Sequence, residues 1–302
     1  MRRATVILNP GARSGRGQRR WGFWQERLHG SDLSCFFVRP DSMAHIEELA
    51  AVAEADVVVA VGGDGTINAV LNGILARGAD GPALAVLYAG TSPDFCRFHG
   101  IPTAPEAALD ALLHGRICSR DVGRVRYRDG AGAERTSFFG CSVNLGIGAT
   151  VAARANRWRR FLGDGGGTGL AVLSALPGPH RRLELSVDGE APVVLPRCCH
   201  LCIAKSPWIA SGLKFTGDLH PADGRLAVLA IAGKSLFGLL RLLPAFYTGT
   251  VSSRPDVLFR FAQSVAVQGR GAVEFDGDPH GALPIAVDIQ PGALRLVVPE
   301  AS

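Results

Sequence analysis

Val57-Val58-Val59-Ala60-Val61-Gly62-Gly63-Asp64-Gly65-Thr66 is the stretch on which the fold turns. Its first five residues form an unbroken, mostly β-branched run, the pattern of a strand buried on both faces of a parallel sheet. The run enters two glycines directly. Beyond Thr66, Ile67, Val70, Leu71 and Ile74 share one side of a helix. A strand, a glycine turn and a helix in that order make an anion site. Glycines let backbone N–H groups approach a phosphate, and the helix N-terminus adds a favourable dipole. Asp64 is the informative residue, because a carboxylate beside a phosphate repels it unless a cation intervenes. Mg²⁺ does this, taking one or two carboxylates together with phosphates and waters. Thr66 can cap the helix or bond a phosphate oxygen.

Outward from this point, strand and helix alternate. Residues 4–8 read as a strand ending in the turn Asn9-Pro10-Gly11, followed by a Gly- and Arg-rich loop and a helix through residues 21–28. A strand at 35–38, a helix at 42–53, the strand at 56–61, a helix at 67–76, a strand at 83–88 and a helix at 105–113 follow. Repeated strand–helix–strand units predict an α/β domain, residues 1–121, with a parallel sheet and a Gly-rich nucleotide loop. The character then changes. Strands are expected at 123–128, 136–145, 182–187, 200–203, 226–231, 257–268 and 294–298, punctuated by Gly and Pro. Residues 122–290 therefore read as a β-rich, β-sandwich-like second domain, with 291–302 a closing segment that returns to the first. The hinge is expected near residues 115–125.

Of the 302 residues, 47% are hydrophobic and 20% charged, enough for a core and unlike a disordered chain. A net charge of +5 suits phosphates or an anionic membrane surface and is too weak to argue for nucleic acid. The basic residues are nearly all Arg; Lys occurs only at Lys205, Lys214 and Lys234. Seven scattered cysteines point to a reducing compartment. Cys198, Cys199 and Cys202 cluster around His200, but a zinc site wants a second pair at matching spacing, and a buried strand explains the cluster as well. No apolar run is long enough to cross a bilayer, and the first residues are too weakly apolar for a signal peptide. A soluble, cytoplasmic protein that touches the inner membrane face peripherally is the expectation.

Asp276 and Asp278 flank Gly277. On an extended segment both would face one way, and two nearby acids raise one pKa, which suits a base. Asp-Gly-Asp-Pro is equally a tight hairpin turn, as Asp188-Gly189-Glu190 is expected to be. The apolar run at 235–243 reads as a core helix or an interfacial one. Arg154, Arg157, Arg159 and Arg160 around Trp158 suit anionic headgroups or a solvated helix face.

Gly62–Thr66, continued by Ile67-Asn68-Ala69-Val70-Leu71-Asn72-Gly73, resembles the diacylglycerol kinase catalytic-domain family, which includes bacterial lipid kinases and is related to sphingosine and ceramide kinases. Asn9-Pro10 with Ser14-Gly15-Arg16-Gly17 resembles its first nucleotide loop. Gly90-Thr91-Ser92-Pro93-Asp94-Phe95-Cys96-Arg97, then Gly100-Ile101-Pro102, resembles its second signature, and Val273–Asp278 its C-terminal catalytic signature. The resemblance implies a two-domain lipid-kinase architecture using ATP and Mg²⁺. Asn9, Ser14, Gly15, Gly62, Gly63, Gly65, Thr66 and Thr91 would line the nucleotide, and Asp64 would hold the catalytic Mg²⁺ through water. Asp94 and Asp121 would join one acidic network with Arg97 paired to it. Asp276 would be the base, assisted by Asp278. In the loop from His220 to Arg225, the Asp223 carboxylate and the carbonyls of His220 and Arg225 would hold a structural Mg²⁺. One departure stands out: the family has Asn where this chain has Pro93, which offers neither an amide side chain nor a backbone donor.

The implied activity is ATP-dependent phosphorylation of a lipid hydroxyl, diacylglycerol first, at a transiently contacted anionic membrane surface, without nucleic acid; a homodimer is left open. An NAD kinase shares the Gly-Gly-Asp-Gly-Thr run, but no second motif of that class accompanies it. A catalytically inactive nucleotide- or lipid-binding protein is the third reading, kept open by Pro93.

Overall fold

Every residue of the strand Val57–Gly62 is buried, as is every residue of Ala83–Tyr88, which requires cover on both faces. The structure, a computed structural model, describes residues 2–9, 15–78, 81–90, 92–146, 180–209, 213–235, 238–239 and 241–300. The chain divides into two compact units, Met1–Val122 with Pro291–Ser302, and Gly123–Gln290.

The first unit runs β1 (Arg3–Leu8), α1 (Gly15–His29), β2 (Ser34–Val38), α2 (Met43–Val52), β3 (Val57–Gly62), α3 (Asp64–Leu75), β4 (Ala83–Tyr88), α4 (Asp94–His99) and α5 (Pro105–His114). The sheet order is β2-β1-β3-β4, parallel throughout. The end of the chain's last strand joins beside β4, Leu296 opposite Leu84. From β1 the chain goes to one side for β2, then returns past β1 to β3. The β1/β3 pair is thus a topological switch point, and ligands of open α/β sheets bind outside the carboxyl ends of such strands.

Trp21, Trp24 and Leu28 of α1 pack with Leu109 and Leu112 of α5 over Val57 and Val59. The Trp24 indole donates to the Pro105 carbonyl at 3.0 Å. On the other face α2 and α3 pack together, burying Ile46, Ala50, Val70 and Ile74. Two helices start earlier than their apolar pattern suggests. α1 begins at Gly15, six residues before its first apolar anchor, because Gly15–Arg20 is polar and shows no periodicity. α3 begins at Asp64, since the first turn of a helix needs no internal N–H bonds and favours an acid. The short α4 gives no periodic signal at all.

β5 (Arg116–Arg128) runs straight through the expected hinge, so the boundary at Val122 lies inside a strand. The second unit continues with β6 (Glu134–Phe139), β7 (Ser142–Gly146), β8 (Arg181–Val187), β9 (Val193–Ala204), the two-residue strands β10 (Trp208–Ile209) and β11 (Leu213–Lys214), β12 (Leu226–Ala232), α6 (Leu243–Thr248), β13 (Leu258–Ala262), β14 (Ser264–Gly269), β15 (Ala272–Phe275) and β16 (Asp278–Val298). Antiparallel pairings link β8 to β9, β9 to β7, β7 to β15, β15 to β16, β16 to β14, and β14 back to β8. Among the described residues these pairings close a ring around Phe139, Leu145, Leu201, Phe275 and Ile285. The long β9 makes closure feasible, pairing with β8 through its first half and with β7 and β12 through its second.

Two expected strands are each two. Residues 136–145 break at Gly140-Cys141, whose backbone turns toward Asp276, and 257–268 break at Gln263, whose N–H turns toward Asp188. The Arg154–Arg160 cluster with Trp158 lies outside the described residues, as do positions 236, 237 and 240 of the apolar run at 235–243.

Candidate active site

In the first unit the site is built at the carboxyl ends of β1 and β3. Leu8 lies opposite Val61, and the next residue, Asn9, donates its backbone N–H to the Val61 carbonyl at 3.1 Å. The Asn9 side-chain amide then reaches the buried Thr66 hydroxyl at 2.8 Å. Gly62–Thr66 is therefore clamped from the neighbouring strand. Gly90, just past β4, crosses Gly63 at close range. A Cβ on Gly90 would sit 2.6 Å from the Gly63 Cα and 2.6 Å from the Tyr88 hydroxyl.

Asp64, in the first turn of α3, accepts from the Tyr88 hydroxyl at 3.0 Å and from the Phe95 N–H at 3.4 Å. Burial, then the Asp64 charge, hold the Tyr88 phenol well above its usual pKa. Arg20 donates to the Tyr88 carbonyl at 2.9 Å, bringing a guanidinium of α1 beside the same strand end. Asp94 is buried, accepts from the Ser92 hydroxyl at 3.0 Å and pairs with Arg97 at 3.3 Å. Pro93 occupies the N-cap of α4 without a side-chain bond. Asp121, also buried, accepts from the Gly292 N–H at 2.9 Å and so ties β5 to the returning strand. Gly15 opens α1 and Gly65 lies in the first turn of α3. Ser14 and Thr91 lie outside the described residues.

In the second unit Asp276 is not on an extended segment. Its φ is 47° and that of Gly277 is 93°, the left-handed pair of a two-residue hairpin turn joining β15 to β16. The two acids therefore do not share a face through strand alternation. Yet Asp276 is not idle in that turn. Its carboxylate accepts three backbone N–H groups, from Gly140 at 2.8 Å and from Cys141 and Ser142 at 2.9 Å each. Glu274, two residues earlier, is 3% exposed. Burial pushes its pKa up to about 8, against a hydrogen bond from the Gly277 N–H and with the Asp276 charge adding to the rise. Burial also raises Asp278. The hairpin thus carries three carboxyl groups, two of them with a pKa raised by burial.

The His220 carbonyl, the Asp223 carboxylate and the Arg225 carbonyl do converge, on the Lys205 ammonium. Burial alone would raise Asp223, but hydrogen bonds from Lys205 and from the His220 and Arg225 N–H groups outweigh it, and its pKa lies below the usual value. As placed, these groups hold an ammonium and do not fit Mg²⁺. Cys198, Cys199 and Cys202 are buried free thiols on β9, and among the described residues no cluster of metal-binding side chains is found.

Residues 3–125 match the model of the diacylglycerol kinase catalytic domain, and 141–298 that of the YegS C-terminal NAD kinase beta sandwich-like domain. The diacylglycerol kinase of Mycobacterium tuberculosis is 32% identical over 268 residues, which is 84% of this chain and 81% of that one. The chain belongs to the diacylglycerol kinase family. It is a kinase of two domains, the second β-sandwich-like. In fold it also resembles a diacylglycerol kinase from Bacillus anthracis, at a TM-score of 0.69 and 16% identity over 98% of this chain and 97% of that one. The yeast NADH kinase shares the fold more distantly, at a TM-score of 0.59 and 12% identity over 99% of this chain and 84% of that one.

Sequence reasoning missed four residues of this kinase. Tyr88 ends a buried strand and reads as core. Arg20 lies in a polar stretch without periodicity. Glu274 passes for the solvent-side residue of a short strand. Lys205 is a single cation after an apolar run. Only Tyr88 carried a usable signal, since a buried phenol requires a partner.

Proposed function

We propose that the kinase transfers the γ-phosphate of ATP to the free hydroxyl of diacylglycerol. The observation that carries this reading is the Asn9–Thr66 clamp and the Tyr88–Asp64 hydrogen bond at the switch point of the sheet, where a nucleotide of this fold class is expected. The activity in the name of the Mycobacterium relative supports the choice of acceptor.

The backbone of Gly62, Gly63 and Gly65 receives the phosphates, with Asn9, Ser14, Gly15, Thr66 and Thr91 along the nucleotide. Asp64 is an oxygen donor of the kind Mg²⁺ takes, one carboxylate with phosphates and waters completing the shell. Bound there through water, Mg²⁺ supplies neutralisation of the phosphate charge. Tyr88 fixes the Asp64 carboxylate. Asp94, Arg97 and Asp121 keep the acidic network in place. At the acceptor, Asp276 takes the hydroxyl proton while the lipid oxygen bonds to the γ-phosphorus and the bond to the β-bridging oxygen breaks, releasing ADP. Asp278 assists. Among the described residues no helix is long and apolar enough to cross a membrane. The net charge of +5 suits transient contact with an anionic surface, where the lipid is met.

The test is ATP radiolabelled at the γ-phosphate, incubated with a total lipid extract, followed by identification of the labelled product. Phosphatidic acid is expected. Label in another phospholipid would change the acceptor, and label in no lipid would remove the lipid reading.

A further inference from the structure

The loop that family resemblance assigns to a structural Mg²⁺ already holds a cation. Lys205 is fully buried. Its Nζ lies 2.7 Å from the His220 carbonyl, 2.5 Å from the Asp223 Oδ1 and 3.3 Å from the Arg225 carbonyl. An ammonium has three donors and one positive charge. Among the described residues two carbonyls and one carboxylate take those donors, and the carboxylate, which also pairs with the Arg225 guanidinium at 3.3 Å, supplies opposite charge, which limits the penalty of burying the ammonium. The cage is itself braced. The Asp223 carboxylate also accepts from the His220 N–H at 2.8 Å and the Arg225 N–H at 3.1 Å. Mg²⁺ requires about six oxygens at roughly 2.0–2.1 Å. It cannot share three ligands with an ammonium centred among them.

We propose that Lys205 is a built-in substitute for the structural metal, making the second unit independent of divalent cations. The placement has a consequence for Asp276. The Lys205 N–H donates to the Cys141 carbonyl at 2.8 Å, and the Cys141 N–H donates to the Asp276 carboxylate at 2.9 Å. The residue that fills the cage is thus one backbone hydrogen bond away from the peptide that holds the Asp276 carboxylate.

Two measurements on the intact chain test this. The first is thermal unfolding without nucleotide, in EDTA and in millimolar Mg²⁺, for wild type and for Asp64→Ala, which removes the catalytic cation's carboxylate. The Asp64→Ala midpoint is expected to be the same in both conditions. A Mg²⁺-dependent rise that persists in Asp64→Ala would overturn the proposal. The second is reductive methylation of the native protein, which has three lysines. Lys214 and Lys234 are expected to react and Lys205 to react only after denaturation; rapid native modification of Lys205 would also overturn it. Lys205→Ala is expected to lower the midpoint by roughly 10 °C, and an unchanged midpoint would count against the proposal. If that variant does not fold, the wild-type methylation and the Asp64→Ala scan still decide.

Discussion

Asp188 and Asp276 occupy the same local structure. Each has a left-handed φ, 50° and 47°, and each precedes a left-handed glycine. Asp188 N–H donates to the Ser264 carbonyl while its carboxylate accepts from the Gln263 and Ser264 N–H groups. Asp276 does the same with Ser142, Cys141 and, additionally, Gly140. The backbone clamp is therefore a structural device of this unit, and chemistry must be sought in what differs. Asp276 follows the buried Glu274, where Asp188 follows Ser186, and its motif resembles the family's signature. The pair makes a matched experiment. Asp276→Ala should lose about 2–4 kcal/mol of stability by stranding backbone donors, and its folded fraction should lose about 10²–10⁴-fold in kcat. Asp188→Ala should lose stability while its folded fraction turns over at the wild-type rate. Equal loss of kcat in both would reduce Asp276 to a structural role. Glu274 offers a pH test. Its folded pKa of about 8 lies above the ordinary value of 4.5, so it stabilises the fold below about pH 4.5 and that contribution is lost as pH rises to about 8. Glu274→Gln should gain stability relative to wild type across that window and no further above it, as read by urea unfolding at several pH values. A constant difference from pH 5 to 8 would contradict the buried neutral acid.

At the scale of elements, the nucleotide end depends on how closely β4 and its following turn pass the glycines after β3. Gly90→Ala places a methyl where only backbone and the Tyr88 phenol can yield. It should raise the KM for ATP at least tenfold and lower the thermal midpoint, whereas an unchanged KM would show that this crossing does not shape the site. Legibility in the sequence followed local signal. β3, β4 and the body of α3 were readable because two-sided burial and 3.6-residue spacing leave strong patterns. Starts of helices, the six-residue α4 and the breaks after Phe139 and Ala262 were not, since each is decided by a distant partner or by polar residues without period. Asp64 stands out in the sequence through its glycines. The clamp on Asp276 does not, because its donors lie more than a hundred residues away in sequence. Lys205 was invisible for the same reason: a lysine ordinarily reads as surface, and only the fold supplies its acceptors.

For the molecule as a whole, the chain enters the second unit along β5 and leaves it along β16, so the first unit is completed only by the last residues. Leu294 and Leu296 are fully buried there, with Leu296 paired to Leu84 of β4. Truncation after Gln290 should therefore destabilise the first unit, lowering its unfolding midpoint and raising protease sensitivity in residues 3–122; a truncated chain as stable as the full one would contradict the assigned sheet order. A net charge of +5 suits the proposed contact with an anionic surface. The central claim is the acceptor, and one comparison decides it. The purified full-length chain is given γ-labelled ATP and Mg²⁺ with either diacylglycerol in mixed micelles or NAD in buffer as sole acceptor. Label is expected on diacylglycerol alone, and label on NAD alone would contradict the account.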